Sequence, residues 1–200
     1  MDFLTQLNYV EVIAVITSFL CVWLYTRQNV WSWPLAIVAA ALYSFVFFQA
    51  QFYAQVVLQG VYVVISIYGW YQWLYGGAQH SALTVSHITR TIALAVAGIV
   101  VVGTGVVAYL LATYTTGAAL PFGDALTTIM SLCAQWMLAK KILENWLLWI
   151  VADVIYVGMF AYQGLYPTAI LYAGFLVLAT HGFFAWRKSM RAENAVEAEN

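Results

Sequence analysis

The stretch Glu144-Asn-Trp-Leu-Leu-Trp-Ile-Val-Ala-Asp-Val-Ile-Tyr156 decides how the chain reads. Around it the sequence is apolar at helical length, whereas here polar and aromatic groups recur with a helical period. Trp146, Trp149, Asp153 and Tyr156 stand at i, i+3, i+7 and i+10, one face of a 3.6-residue helix. A carboxylate in the middle of an apolar helix costs several kcal/mol unless a ligand meets it or it takes up a proton. The pattern points to a binding face for a flat, cationic molecule.

Working outward, hydrophobic residues make up 64% of the chain and charged residues 8%, where a soluble domain carries roughly 25% charged residues. Mean hydropathy is +0.85. This composition implies an all-α membrane protein, and the length accommodates about seven spans of about 20 residues. With a net charge of −1 there is no basic patch for nucleic acid. Cys21 and Cys133 both fall in apolar segments and read as small packing residues rather than a disulfide framework. The N-terminus lacks the positive region of a cleaved signal peptide.

Apolar runs and turn signals place helices near residues 9–26, 30–49, 52–75, 88–113, 123–138, 145–162 and 166–187. The charged, alanine-rich residues 188–200 read as a frayed cytoplasmic tail. Seven spans put Arg27, Arg90, Lys140, Lys141, Arg187, Lys188 and Arg191 on one side and no basic residue on the other. The positive-inside rule then predicts the N-terminus outside and the C-terminus in the cytoplasm.

A shift of 113 residues superimposes the two halves of the sequence without a gap. Trp33 falls on Trp146, Tyr43 on Tyr156, Phe47 on Phe160, Gly69 on Gly182, Trp73 on Trp186 and Arg27 on Lys140. The repeat unit is three helices, residues 9–75 and 123–187, with the helix at 88–113 as an unpaired linker. One extra span gives both copies the same orientation: a 3+1+3 parallel repeat, an arrangement that places a transporter's site between its halves. Within the repeat, Trp149 and Asp153 fall on Ala36 and Ala40. One copy carries recognition groups where the other leaves room. Close helix packing explains the alanines and an interface belt explains Trp146, but neither explains Asp153.

Two further stripes carry polar groups. Gln55, Gln59, Tyr62 and Ser66 share a face of the third helix, and amides there suit hydroxyl and carboxamide partners. Asp124, Thr127, Ser131 and Gln135 share a face of the fifth. Asp124 follows Pro121 and Gly123 and reads as a first-turn partner of the helix dipole, while Gln135 is a candidate site residue. Gly69-Trp-Tyr-Gln-Trp73 reads as an aromatic belt before a gate, and His181 as a structural hydrogen bonder. Glu144 is expected to make solvated pairs with Lys140 and Lys141 and to cap its helix. The sequence offers no metal-ligand cluster, no phosphate loop, no catalytic residue set and no cofactor motif, so an enzyme is the weaker class.

Trp-Pro-Leu-Ala-Ile at 33–37, Ser66-Ile-Tyr-Gly-Trp-Tyr-Gln-Trp73 and Glu144-Asn-Trp-x-x-Trp-Ile-x-x-Asp153 resemble the PnuC family of bacterial vitamin B3 transporters, over about residues 19–186. The resemblance implies a fold similar to the SWEET sugar transporters, an inner-membrane location and uptake of nicotinamide riboside for NAD biosynthesis. It further implies facilitated diffusion, trapping by a cytoplasmic riboside kinase, and a homotrimer. Ala36 stands where a glycine is expected in many members. The chemistry agrees: Trp146, Trp149 and Tyr156 offer cation–π surfaces to a pyridinium, and Asp153 can meet the cation or the ribose. Gln59, Gln55 and Gln135 supply amides. The spans hold no Arg or Lys for a phosphate, which disfavours the mononucleotide. Proton-coupled symport of a related nucleoside or vitamin is the alternative mechanism, and a small integral-membrane enzyme or an assembly subunit the alternative classes.

Overall fold

Helix-forming runs broken at a few turn residues produce seven α-helices in the structure, a computed structural model that describes residues 3–49, 53–114 and 120–199. They are α1 (Phe3–Thr26), α2 (Ser32–Gln49), α3 (Tyr53–Tyr75), α4 (Arg90–Tyr114), α5 (Pro121–Ala139), α6 (Asn145–Tyr162) and α7 (Tyr166–Glu199). Each expected helix is present, with boundaries a few residues from those anticipated. Pro121 starts α5, where its missing N–H costs nothing. α7 overturns the expectation of a frayed tail by continuing to Glu199. Residues 188–199 are rich in Ala, Glu and Arg, strong helix formers, and the Ser189 hydroxyl donates to Glu193 Oε1 one turn on, at 3.2 Å.

The chain divides into two compact units, residues 1–84 and 85–200. In the first, α2 packs against both α1 and α3. In the second, α6 packs against both α5 and α7, and the linker helix α4 packs against α5. Small residues line these contacts: Ala14, Ala39, Ala40, Ala125, Ala134, Ala139, Ala152 and Ala179 are all buried. Large apolar side chains face outward instead, among them Leu94, Val101, Val102 and Tyr109 on α4 and Ile170 and Val177 on α7. This inversion of the soluble pattern belongs to helices that pack in lipid through small residues. By length and composition α2, α4, α6 and the Tyr166–Glu193 part of α7 can each cross a membrane. Helices α3 and α5 are more polar because they carry the glutamine and hydroxyl stripes.

The corners between helices recur. At the end of α1, Gln28 takes a left-handed conformation (φ 53°), and at the end of α5 Lys141 does the same (φ 49°). Asn29 N–H reaches Leu24 O and Gln28 N–H reaches Tyr25 O, each at 3.0 Å. Ile142 N–H reaches Met137 O and Lys141 N–H reaches Leu138 O, again each at 3.0 Å. Both are Schellman motifs 113 residues apart, built without the usual glycine. The next turn repeats as well: Ser32 Oγ donates to Asn29 O and Asn145 Nδ2 to Ile142 O, each at 2.7 Å. α6 ends in a third such motif with Gly164 (φ 75°) in the left-handed position.

Burial of Lys141 in its corner holds the ammonium below the ordinary lysine value, an effect that nearby Glu193 opposes.

Candidate functional site

The site grows from the start of α6. Asn145 is fully buried and ties its side-chain amide to the preceding corner. Trp146 follows, 2% exposed, with its ring flat against Gly182 of α7 and its edge on Trp186 at 5.4 Å and 90°. In the first unit Trp33 lies in the same way against Gly69, with Trp73 at 5.3 Å and 90° and Tyr25 at 4.9 Å. Trp146 therefore holds α6 to α7, a packing role that the repeat shares. Its indole N–H, like that of Trp33, is buried with no acceptor among the described residues.

One turn later Trp149 is half-buried, and two turns later Asp153 is 4% exposed. Among the described residues no cation pairs with Asp153; the one ion pair there joins His87 and Glu144. The equivalent position in the first unit is Ala40, equally buried. The aspartate is thus an added group on a scaffold that forms without it, and a buried carboxylate lacking a partner is costly.

Tyr156 is half-buried, and its hydroxyl hydrogen-bonds with the side chains of Thr127 and Ser131 on α5. Asp153 and Asp124 both lie close enough to act on it electrostatically. Its ring lies 4.4 Å from Tyr172 of α7, and Phe160 stacks on both, at 5.9 Å from Tyr156 and 5.2 Å from Tyr172. Gln135 on α5 is 7% exposed.

Within the second unit the structure thus brings Asp153 and Tyr156 together with α5, while Trp146 points into the α6–α7 contact. Gln55 and Gln59 belong to α3 of the first unit, where Gln55 is exposed and Gln59 half-buried. Sequence reasoning missed Tyr172. The signal was available, because Tyr172 falls on Gln59 at the 113-residue offset.

Three other expectations change. Glu144 neither caps α6 nor pairs with Lys140 or Lys141; its carboxylate meets His87 Nδ1 and the Ile88 N–H, each at 2.8 Å. A neighbouring backbone donor and imidazole hold it better than flexible lysines do. His181 is exposed on α7 rather than bonded inside. Trp73 is core, and only Trp70 and Tyr71 of its motif reach the surface. Asp124 does lie in the first turn of α5 as expected. Cys21 and Cys133 are both buried free thiols. No group of three His, Cys, Asp or Glu side chains that could hold a metal occurs among the described residues.

An acceptor-only carboxylate, half-buried aromatic faces and a buried amide together suit a flat organic cation bearing hydroxyls. Comparison with known proteins adds the following. A family profile described as nicotinamide mononucleotide transporter matches residues 8–188. The nicotinamide riboside transporter PnuC of Escherichia coli is 28% identical over 93% of this chain and 88% of its own. The riboflavin/roseoflavin transporter RibM of Streptomyces davaonensis is 26% identical over 80% of this chain and 76% of its own. In fold, the chain is similar to the crystal structure of the vitamin B3 transporter PnuC, with a TM-score of 0.72 and 24% identity over 92% of this chain and 83% of that one.

Proposed function

We infer what this chain carries from its kinship: it belongs to the nicotinamide mononucleotide transporter family and is a multi-pass protein of the bacterial inner membrane. Its substrate is nicotinamide riboside, taken up by uniport and trapped in the cytoplasm when a riboside kinase phosphorylates it. The family description names the mononucleotide, while the E. coli relative is named for the riboside. The residues favour the riboside. Arg27, Lys140 and Lys141 lie in turns, Arg90 opens α4, and Arg187, Lys188 and Arg191 follow the last apolar stretch, so no basic side chain stands mid-span for a phosphate.

The observation that carries this reading is buried Asp153 on the aromatic face of α6, at a place where the repeat needs only alanine. Trp149 and Tyr156 present π-surfaces to the pyridinium, Asp153 offsets its charge or accepts ribose hydroxyls, and Gln135, Gln59 and Gln55 supply amides. Trp146 keeps α6 in place, and its indole N–H is a further donor. The wider architecture belongs to the same proposal: seven spans, two three-helix units in one orientation about α4, the N-terminus outside, and three copies per assembly. The corner bonds that recur 113 residues apart support the duplication.

The test is uptake of labelled nicotinamide riboside into proteoliposomes with and without a pH gradient, with nicotinamide mononucleotide and riboflavin as competitors. Uniport predicts the same initial rate in both conditions and competition by neither. A rate that collapses without the gradient makes the protein a proton symporter. Riboflavin competition at low concentration would point to the flavin chemistry of the Streptomyces relative.

A further inference from the structure

The segment ahead of α4 is fastened at both ends. Its first part folds back on α3: Gly76 N–H bonds Gln72 O at 2.8 Å, and Leu83 N–H bonds Trp73 O at 3.3 Å. From Val85 onward the chain belongs to the second unit. Ser86 pairs in both directions with the α5–α6 corner, donating to Lys141 O at 3.0 Å and accepting from Leu143 N–H at 2.9 Å. Glu144 then closes the strap, with Oε2 accepting the Ile88 N–H and Oε1 meeting His87 Nδ1, each at 2.8 Å. Val85 is buried, and Ile88 packs on the cluster of Val96, Cys133, Met137 and Ile142. Thr84 stands between the last bond on one side and the first on the other.

The matching corner of the first unit turns without any such strap. Trp31 occupies the place of Glu144 and is 68% exposed, and its N–H is taken locally by Asn29 Oδ1 at 2.9 Å. The corner therefore does not need Glu144 in order to form. The glutamate instead joins two segments 56 residues apart in sequence, at the root of the helix that carries Trp149, Asp153 and Tyr156.

We propose that Glu144 is a positioning residue for transport: with His87 it clamps the start of α4 to the start of α6, so that α4, α5 and α6 move as one body while the chain flexes at Thr84. This rests on the transporter reading above. A clamp of this kind governs how fast the protein changes conformation and leaves the binding groups untouched.

The test compares His87→Ala, Glu144→Ala and the double variant with the parent in proteoliposomes and lipid nanodiscs. His87 has a side chain 64% exposed, so its removal leaves the core intact. Riboside uptake should slow by about threefold or more in each single variant and no further in the double, because both residues serve one contact. Riboside affinity should stay within about twofold of the parent. Uptake at the parental rate in all three variants, additive losses, or affinity falling in step with rate would each overturn the clamp. Hydrogen exchange over residues 85–88 and 141–144 needs no substrate and separates failure of the clamp from failure of the transport reading. Exchange there should quicken about tenfold in His87→Ala; unchanged exchange refutes the clamp whatever the protein carries.

Discussion

Replacing Gly69 or Gly182 by alanine tests the packing that holds each three-helix unit together. A Cβ at Gly182 would stand 2.7 Å from Trp146 Cε2 and Cζ2 and 2.8 Å from Cδ2. At Gly69 it would stand 2.3, 2.5 and 2.6 Å from Trp33 Cη2, Cζ2 and Cζ3. Carbon atoms rest about 3.5–4.0 Å apart, so each indole must recede by roughly 1 Å, and Trp33 by more. Neither ring is free to do so, because Trp146 is edge-on to Trp186 and Trp33 is wedged between Tyr25 and Trp73. Overpacking of this kind costs about 1–3 kcal/mol, with Gly69 at the upper end. For a chain of this size the melting temperature should fall by about 2–10 °C. Gly98, in the middle of α4, is the control: a Cβ there meets nothing within 4 Å, so Gly98→Ala should be neutral or stabilising by up to about 1 kcal/mol. The assay is thermal unfolding of the purified protein in detergent. Melting of Gly69→Ala and Gly182→Ala at or above the temperature of Gly98→Ala would refute the reasoning.

Trp149→Ala removes a half-buried π-surface and should weaken riboside binding by about 2 kcal/mol, roughly thirtyfold by calorimetry, with the melting temperature little changed. Tyr172→Leu keeps the bulk between α6 and α7 but breaks the stacking with Tyr156 and Phe160, each contact worth about 0.5–1.5 kcal/mol; a drop in melting temperature of a few degrees should follow. Burial depresses the folded-state value of Lys141 below its ordinary 10.5, so across that window the unfolded chain binds more protons. Stability from this group should therefore rise as pH climbs from the folded value toward 10.5, and melting curves of Lys141→Met over the same pH range should lack that rise.

Much of the fold is legible in the sequence because lipid allows few solutions. Apolar runs must be helices, and their ends fall at Gly, Pro and polar turns, so helix limits came within a few residues. The duplication was readable from Trp33, Tyr43, Gly69 and Trp73 because packing fixes large aromatics and the glycines beneath them. Asp153 stood out because its cost in an apolar helix is high and Ala40 shows that the scaffold does not require it. The less legible features are those that depend on distant parts of the chain. Nothing local announces that Glu144 meets His87 and Ile88, since the partners are more than fifty residues away. Trp146 and Trp149 look alike on a helical wheel, yet one is packed on Gly182 and the other is half-buried. That difference depends on where α7 lies. The end of α7 misled because charge and alanine signal both a frayed tail and a stable helix.

The most direct test is the equilibrium affinity of purified parent and Asp153→Asn protein for nicotinamide riboside, with nicotinamide mononucleotide alongside. The account predicts that the parent binds the riboside in preference to the mononucleotide. It also predicts that Asp153→Asn, folded to the same melting temperature or higher, binds about tenfold more weakly, the loss of about 1.4 kcal/mol from one charged partner. Equal riboside affinity in the two proteins, or a parent that prefers the mononucleotide, would contradict it.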